Sequence, residues 1–427
     1  MTPPDATSAV SDLCQERGVE FTTKGAFYRA ESAQSRDFAI LAALALKHER
    51  GKLEVLDAMA ASGIRGMRYL LQAEADHVWC NDLSLKVQPA LQENLATAAQ
   101  DPDSSGTFQI SQMDVTALLE EMKSSGRQFD LVDIDSFGSK NGGAVIRKAI
   151  DVVRPGGLLY ITSTDGLALS GRRPEDALRN YGALTSYTPA ANEQALRVLA
   201  GTAVREGAAK GLHVRPLFSV FAPHGPVYRS MLSVEPQRPP RRPDEAAIGG
   251  MAYCRGCGQM RAALGECLDD LICEDAVPGD HPDTGDHMCE WNWCGPMWLG
   301  PLHDRDAVQK LRRTANKLGW LHAQKGAGGS DRGPPGQQTS RWQRKAGLSG
   351  MLNTMIEESD PTLPAFFYNL DEVARSGALA GTPRKKQLMR MLAKEGYAVA
   401  SSHVERKGVK TNAPFSTIIS TAQRLTE

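Results

Sequence analysis

The chain has 427 residues, with 49 Lys and Arg against 50 Asp and Glu, and 41% of its residues are hydrophobic. That length suits two or three domains with a large core, and the near-neutral charge alone disfavours a nucleic-acid partner. No apolar run approaches the roughly 18 residues that would span a membrane, and the start MTPPDATSAV has neither a secretion nor a transit pattern. A soluble cytoplasmic protein is expected, with an organelle or the nucleus left open if the source is eukaryotic.

The first strong pattern is KLEVLDAMAASGIRGMRYL, Lys52 to Leu70. Val55 and Leu56 end an apolar run that breaks at Asp57. Small residues follow, then Gly63 and Gly66, then an amphipathic helix through Met67, Leu70 and Leu71. A strand, a tight turn and a helix N-terminus in that order suit a nucleotide-like ligand that approaches the backbone. No Gly-Lys-Ser/Thr follows to grip phosphates, so this is not a P-loop. The glycines fit a loop admitting S-adenosylmethionine, which carries no phosphate.

A second strand, HVWCNDLS, ends in Asp82, about 25 residues after Asp57 and near the spacing of a ribose-binding acid. A third, TFQISQMDVTALL, ends in Asp114, where an acid often receives an adenine amino group. The fourth, FDLVDIDSFGS (Phe129 to Ser139), carries Asp133 and Asp135 and runs out into serine, Phe137 and glycine. A helix around Val145 to Val153, the turn RPGG and a fifth strand, LLYITSTD, follow. A single acid at a strand end is often a helix cap. Acids at four successive strand ends in a β-α-β series point instead to a ligand crevice outside the carboxyl ends of an α/β sheet.

With these motifs in place, the chain resembles the tRNA guanine-26 N(2)-dimethyltransferases. The carriers are FYRAESAQSRD (Phe27 to Asp37), LDAMAASGIRG, NDLS, DIDSFGS, ITSTDGLALSG, LRNYGAL, CGPMWLGPL and the tail GYAVASSHVERKGVKTNAP (Gly396 to Pro414). The likeness runs from about residue 18 to 420. It implies a Rossmann-like class I methyltransferase domain of α/β class, S-adenosylmethionine as methyl donor, and tRNA as substrate. The implied cofactor-binding set is Arg36, Asp57, Gly63, Asp82, Asp114 and Asp133, and the implied catalytic set is Asp135, Phe137 and Phe27.

The chemistry accounts for these residue types. The guanine exocyclic amine is a poor nucleophile, because its lone pair is delocalised into the ring. A carboxylate at Asp135 can accept a hydrogen bond from that amine and take its proton as transfer proceeds. Phe137 would stack on an extruded base, with Phe27 matching an aromatic that the family uses on the other face. Arg36 matches a family arginine near cofactor and acid, and either binding the methionyl carboxylate or tuning Asp135 suits it. The family usually has proline after the acid; here Ser136 keeps the backbone carbonyl but loses the stiffness of the ring. Ser35 likewise replaces the usual asparagine.

Charge is uneven along the chain. Between Gly300 and Gly350, Arg305, Lys310, Arg312, Arg313, Lys317, Lys325, Arg332, Arg341, Arg344 and Lys345 face only Asp304, Asp306 and Asp331. The tail repeats this with Arg384, Lys385, Lys386, Arg390, Lys394, Arg406, Lys407 and Lys410 against Glu395 and Glu405. A basic C-terminal half suits phosphate-backbone binding. His403 in that tail reads as structural or RNA-contacting rather than catalytic.

The cysteines cluster. Cys254-Arg-Gly-Cys257-Gly is a C-x-x-C knuckle, and Cys289 and Cys294 form the expected second half of a structural zinc site. Cys267, Cys273, His281 and His287 are substitute ligands. The expected organisation is a methyltransferase domain over 1–235 and a smaller mixed α+β domain over 236–427. The latter holds the zinc knuckle (254–294) and a winged-helix-like tail (360–420), with the proline-rich PQRPPRRPDE at the boundary and a flexible loop at Gln324 to Ser340. The expected activity is methylation of the guanine-26 amine, giving mono- then dimethylguanosine. An amino-methyltransferase for another base or RNA, and a tRNA-binding chaperone with weakened catalysis, stay open. No membrane and no protein partner is expected.

Overall fold

The computed structural model describes residues 13–136, 142–223, 225–236, 247–265, 291–321 and 341–426. The chain forms two compact units, Met1–Asp135 and Ser136–Glu427.

In the first unit, Arg17 and Gly18 both take positive φ, 51° and 82°, the backbone of a tight two-residue hairpin turn. They join β1 (Leu13–Glu16) to β2 (Val19–Thr22). The helix α1 (Ala33–Arg50) buries the run Phe38–Leu46 and stops at Gly51, whose left-handed φ of 74° ends the helix. A regular alternation follows: β3 (Glu54–Asp57), α2 (Ile64–Gln72), β4 (His77–Asn81), α3 (Gln88–Ala99), β5 (Thr107–Ser111), α4 (Val115–Ser124) and β6 (Phe129–Ser136). β3 pairs in parallel with β4 and β6, and β4 with β5, in the order β5-β4-β3-β6. Every residue of β3 is buried, as a central parallel strand requires. Because all four strands run the same way, their carboxyl ends share one edge.

A buried ionic cluster fastens the hairpin to the helices. Glu16 accepts from Arg36 Nε (2.9 Å), from Arg68 Nη1 and from Tyr28 Oη (3.0 Å). Asp37 accepts from Arg68 Nη2 (2.7 Å) and Arg17 Nε (2.9 Å). Burial would raise the Glu16 carboxyl, but the bonds and charges of Arg36 and Arg68 outweigh it and hold the group below its ordinary value. Asn94 on α3 adds a staple: its side chain bonds both backbone groups of Thr22 and the Ser62 carbonyl (2.7–2.9 Å).

In the second unit, α5 (Gly142–Asp151) leads into β7 (Val153–Ser163). The expected RPGG turn lies inside this strand, with Gly156 absorbing the bend at φ 78°. Short helices α6 (Gly166–Leu169) and α7 (Pro174–Tyr181) and the long α8 (Ala191–Ala208) precede β8 (Leu212–Ala222) and β9 (Val227–Pro236). These strands are antiparallel in the order β7-β9-β8. β10 (Ile248–Cys254), β11 (Met260–Leu264) and β12 (Trp291–Trp298) form a sheet of order β11-β10-β12. Then come α9 (Arg305–Lys317) and α10 (Arg341–Glu358), the latter broken at Gly347. The tail contains β13 (Tyr368–Asn369), α11 (Leu370–Ser376), α12 (Lys385–Lys394), β14 (Val399–Ser401), β15 (Gly408–Thr411) and α13 (Phe415–Gln423), with strand order β13-β15-β14.

The 235/236 boundary expected from the proline run lies inside this unit. The reason is α8, which is buried on nearly every side. A Cβ on Gly201 would sit 2.7 Å from the Trp298 nitrogen, so β12 packs directly on the helix backbone. Arg197 donates to the carbonyls of Trp298 (3.0 Å) and Gly300 (2.8 Å), and Lys410 of the tail pairs with Glu193. Among the described residues, no helix is long and apolar enough to cross a membrane.

The buried cluster sets a stability test. Arg68→Ala leaves Glu16 and Asp37 short of a buried cation and should cost about 3–5 kcal/mol in urea unfolding. Arg179→Ala, which removes an exposed contact with Asp176, should leave the midpoint unchanged.

Candidate active site

The carboxyl edge of the first unit concentrates acids through strand register. Asp57 on β3 lies beside Asp133 on β6, and Asp135 follows two residues later on the same face. Asp57 and Asp133 are fully buried, whereas the Asp135 side chain keeps 12% exposure. Of these three carboxylates, only Asp135 is reachable by a substrate.

One cation holds this set together. Arg65 sits in the first turn of α2 and is itself buried. Its Nη1 reaches Asp135 Oδ2 at 2.6 Å and Asp133 Oδ1 at 3.4 Å, and its Nη2 reaches Asp57 Oδ1 at 3.3 Å and the Met59 carbonyl at 3.1 Å. One helical turn on, Tyr69 donates to Asp133 Oδ2 at 2.8 Å. Asp57 Oδ2 has no hydrogen-bond partner. Burial pushes the Asp57 carboxyl up to about 7; Arg65 opposes the rise, and Asp133, Asp135 and Asp82 add to it.

The loop after β3 turns sharply and packs close against α3. Ala61 takes φ 49° and Gly63 φ 80°, and a Cβ on Gly63 would lie 2.6 Å from the Leu91 side chain. Asp82, half-buried at the end of β4, accepts from the Ala61 nitrogen through Oδ2 and the Ser84 nitrogen through Oδ1, both at 2.9 Å. Its neighbour Asn81 ties three strand ends together. The side chain donates to the carbonyls of Ala58 (3.1 Å) and Met113 (3.0 Å), and accepts from the Met113 nitrogen and Ser111 Oγ.

Some expected residues stand elsewhere. Asp114 is exposed and caps α4, accepting from the nitrogens of Thr116 and Ala117. Arg36 is committed to Glu16 and the Arg29 carbonyl, with its guanidinium 5.1 Å from the Tyr28 ring. The arginine that reaches Asp135 is Arg65, which sequence reasoning passed over. Its signal was the spacing Arg65, Arg68, Tyr69 on one face of a helix that follows the strand ending in Asp57. Phe27 lies after the hairpin rather than in a strand, 54% exposed, with the Arg29 guanidinium 5.5 Å above its ring. Phe137 lies outside the described residues.

The cysteine knuckle is present in part. Cys254 and Cys257 are buried in the turn that leaves β10, where the Gly258 nitrogen donates to the Cys254 carbonyl at 2.9 Å. Cys294 is not brought to that turn. It pairs across the sheet with Met251, three residues and about 10 Å along the strand from Cys254, which faces Trp291. Cys289 lies outside the described residues. In the basic segments, Arg305, Arg312, Arg313 and Lys317 of α9 are exposed, as are Arg384, Lys386, Arg390, Lys394 and Arg406 of the tail. Lys410 is buried against Glu193 and Lys407 pairs with Asp371, so these two are already paired within the chain. A recess of about 1190 Å³ in this unit is bordered by Arg172, Tyr187, Tyr228 and Arg255. Exposed Tyr187 lies 4.8 Å beneath the Arg172 guanidinium.

Comparison with known proteins bears on the family and the fold. A family model described as N2,N2-dimethylguanosine tRNA methyltransferase matches residues 9–423. The tRNA (guanine(26)-N(2))-dimethyltransferase of Aeropyrum pernix is 27% identical over 93% of this chain and 89% of its own. That of Thermococcus kodakarensis is 28% identical over 92% and 91%. The human protein of that name is 26% identical over 97% of this chain, which spans 58% of the human one. Among solved structures, Trm1 from Pyrococcus horikoshii in complex with S-adenosyl-L-methionine superposes with a TM-score of 0.74. It covers 96% of this chain and 99% of that one at 23% identity, which shows a shared fold.

The Asp57 environment makes a signed prediction. The folded chain holds this proton more tightly than the unfolded one, so its contribution to stability is present near pH 4 and is lost as pH rises toward 7. Asp57→Asn should flatten that decline in chemical denaturation at about pH 5 and pH 7.5; an unchanged slope would contradict the assignment.

Proposed function

This chain belongs to the family of N2,N2-dimethylguanosine tRNA methyltransferases, and we propose that it methylates the exocyclic amine of guanine 26 in tRNA twice. The observation that carries the reading is Asp135, held by Arg65 at the mouth of the acid-lined edge while its two neighbouring carboxylates are sealed.

The cofactor of that reaction is S-adenosylmethionine, whose sulfonium supplies the methyl group. The residues present fit it. Asp82 has oxygens already fixed by two backbone donors, with lone pairs left for ribose hydroxyls, since each carboxylate oxygen accepts more than one bond. Gly63 keeps a side chain out of the loop. Asp114 spends Oδ1 on its helix cap, and Asp133 acts through Arg65 and Tyr69.

On the substrate side, Asp135 accepts a hydrogen bond from the guanine amine and takes its proton as the new N–C bond forms. Arg65 holds the carboxylate in place beforehand, so little reorganisation is needed at reaction. A second methylation requires the monomethylated amine to turn its remaining hydrogen to the same carboxylate. The exposed Phe27 ring, and Phe137 by its place in the motif, supply stacking surfaces for an extruded base. Ser136 keeps the carbonyl that the amine can use but not the rigidity of proline.

The exposed cations of α9 and the tail suit the phosphate backbone of tRNA. The tail, with its helices and small antiparallel sheet, serves in this reading as a winged-helix-like grip, and Tyr187 under Arg172 offers a further stacking surface. For zinc, we propose that the Cys254–Cys257 turn is half of a structural site. Glycine at φ 80° after the second cysteine and the closing bond to the Cys254 carbonyl support it.

The test uses labelled S-adenosylmethionine with two unmodified transcripts, one with guanine and one with adenine at position 26, digested to nucleosides. Dimethylguanosine from the first transcript alone is expected, and Asp135→Ala should lower its rate by about 10²–10⁴. Label in both transcripts would move the target elsewhere.

A further inference from the structure

Outside the catalytic edge, the second unit contains a buried group of three potential ligands. His303 follows β12, Glu358 ends α10, and His403 lies between β14 and β15; all three side chains are 1–2% exposed. His303 Nε2 lies 3.3 Å from His403 Nδ1 and 3.4 Å from Glu358 Oε2, and His403 Nδ1 contacts the same carboxylate oxygen. The backbone nitrogen of His403 donates to the other oxygen, Glu358 Oε1, at 3.2 Å, which fixes the carboxylate.

We propose that His303, Glu358 and His403 bind a divalent transition-metal ion of the zinc type, separate from the cysteine turn. Donors bound tetrahedrally at about 2.0–2.1 Å stand about 3.3–3.4 Å apart, which matches two of the three separations; the third, His403 Nδ1 to Glu358 Oε2, is a direct hydrogen bond that an entering ion would open. Two imidazole nitrogens and one carboxylate are also a recognised zinc donor set. Without an ion, the two ring nitrogens crowd one carboxylate oxygen, and the donor and acceptor roles follow the tautomers of the two rings. His303 Nδ1 and His403 Nε2, the remote atoms, have no hydrogen-bond partner.

The surroundings can accommodate the charge. Glu358 and Asp360 border a cavity of about 330 Å³ together with His303, Arg197 and Lys410. Glu193 holds Lys410 and Arg197. With the ligand Glu358 itself counted, three carboxylates face Arg197 and Lys410, and the Lys385 ammonium also feels Glu358. The cavity reaches two of the three ligands, which gives a water room for the fourth position. The ion would clamp segments 45 and 100 residues apart, so its role is to fix the tail against the chain before α9 and at the end of α10. This inference does not depend on the substrate assigned above.

The experiment measures bound metal in the full chain, in Cys254→Ser/Cys257→Ser and in His303→Ala/His403→Ala, followed by Co²⁺ reconstitution. The cysteine variant should retain one ion per chain, with visible cobalt bands but no thiolate-to-metal charge transfer, and Zn²⁺ should raise its Tm. The histidine variant should lose that ion, and Glu358→Gln should weaken Zn²⁺ binding by at least about tenfold, the scale at which even outer partners of ligands matter. No ion in the cysteine variant and no Zn²⁺-dependent shift in its Tm would overturn the proposal. So would cobalt bound solely through thiolates in the native chain. If the histidine variant does not fold, the cysteine variant and the native cobalt spectrum decide.

Discussion

The acid-lined edge depends on one guanidinium. Parallel pairing of β3 with β6 places Asp57 beside Asp133, and the two-residue repeat of a strand adds Asp135 on the same face. Three carboxylates so close would repel one another and retain protons; Arg65 supplies a countercharge with enough donors to reach all three. Removing that cation would leave buried charges whose desolvation no packing offsets. The strand register thus creates an electrostatic problem that the following helix resolves, and Asp135 is presented as a held, reachable carboxylate.

Buried arginine recurs as the means of fastening this fold. Arg68, one turn after Arg65, holds Glu16 and Asp37, and so anchors the segment that presents Phe27. Arg197 does comparable work in the second unit, joining α8 to the strand and loop that follow it. In each case a planar donor satisfies several acceptors at once, which a lysine ammonium cannot do with the same geometry.

Much of this was legible in the sequence. Apolar runs ending in acids marked β3, β4, β5 and β6, and the glycines after Asp57 marked the loop, because strand periodicity and left-handed turns leave local signatures. Position within the site was less legible. Asp114 carried the same signature as Asp82 yet caps a helix, since both uses ask for an acid at a strand end. Arg36 matched a motif but is spent on Glu16, a partner 20 residues earlier that no local pattern reveals. Arg65 was hidden by the ordinary expectation that a helical arginine faces water. Cys294 was drawn into the knuckle by composition, whereas the β10–β12 register sets it opposite Met251. A proline-rich run marks a break in the chain, while α8 is packed by elements on both sides of it, a long-range relation that no local pattern carries.

The most direct test of the central claim is the pH dependence of single-turnover methylation by Arg65→Gln compared with the native chain. Glutamine keeps some hydrogen bonding and removes the charge. The account predicts a lower rate and an acidic limb displaced to higher pH, because the carboxylates lose the cation that favours their ionised form. A variant with native rate and an unmoved acidic limb would show that Asp135 needs no such support, and would contradict the account.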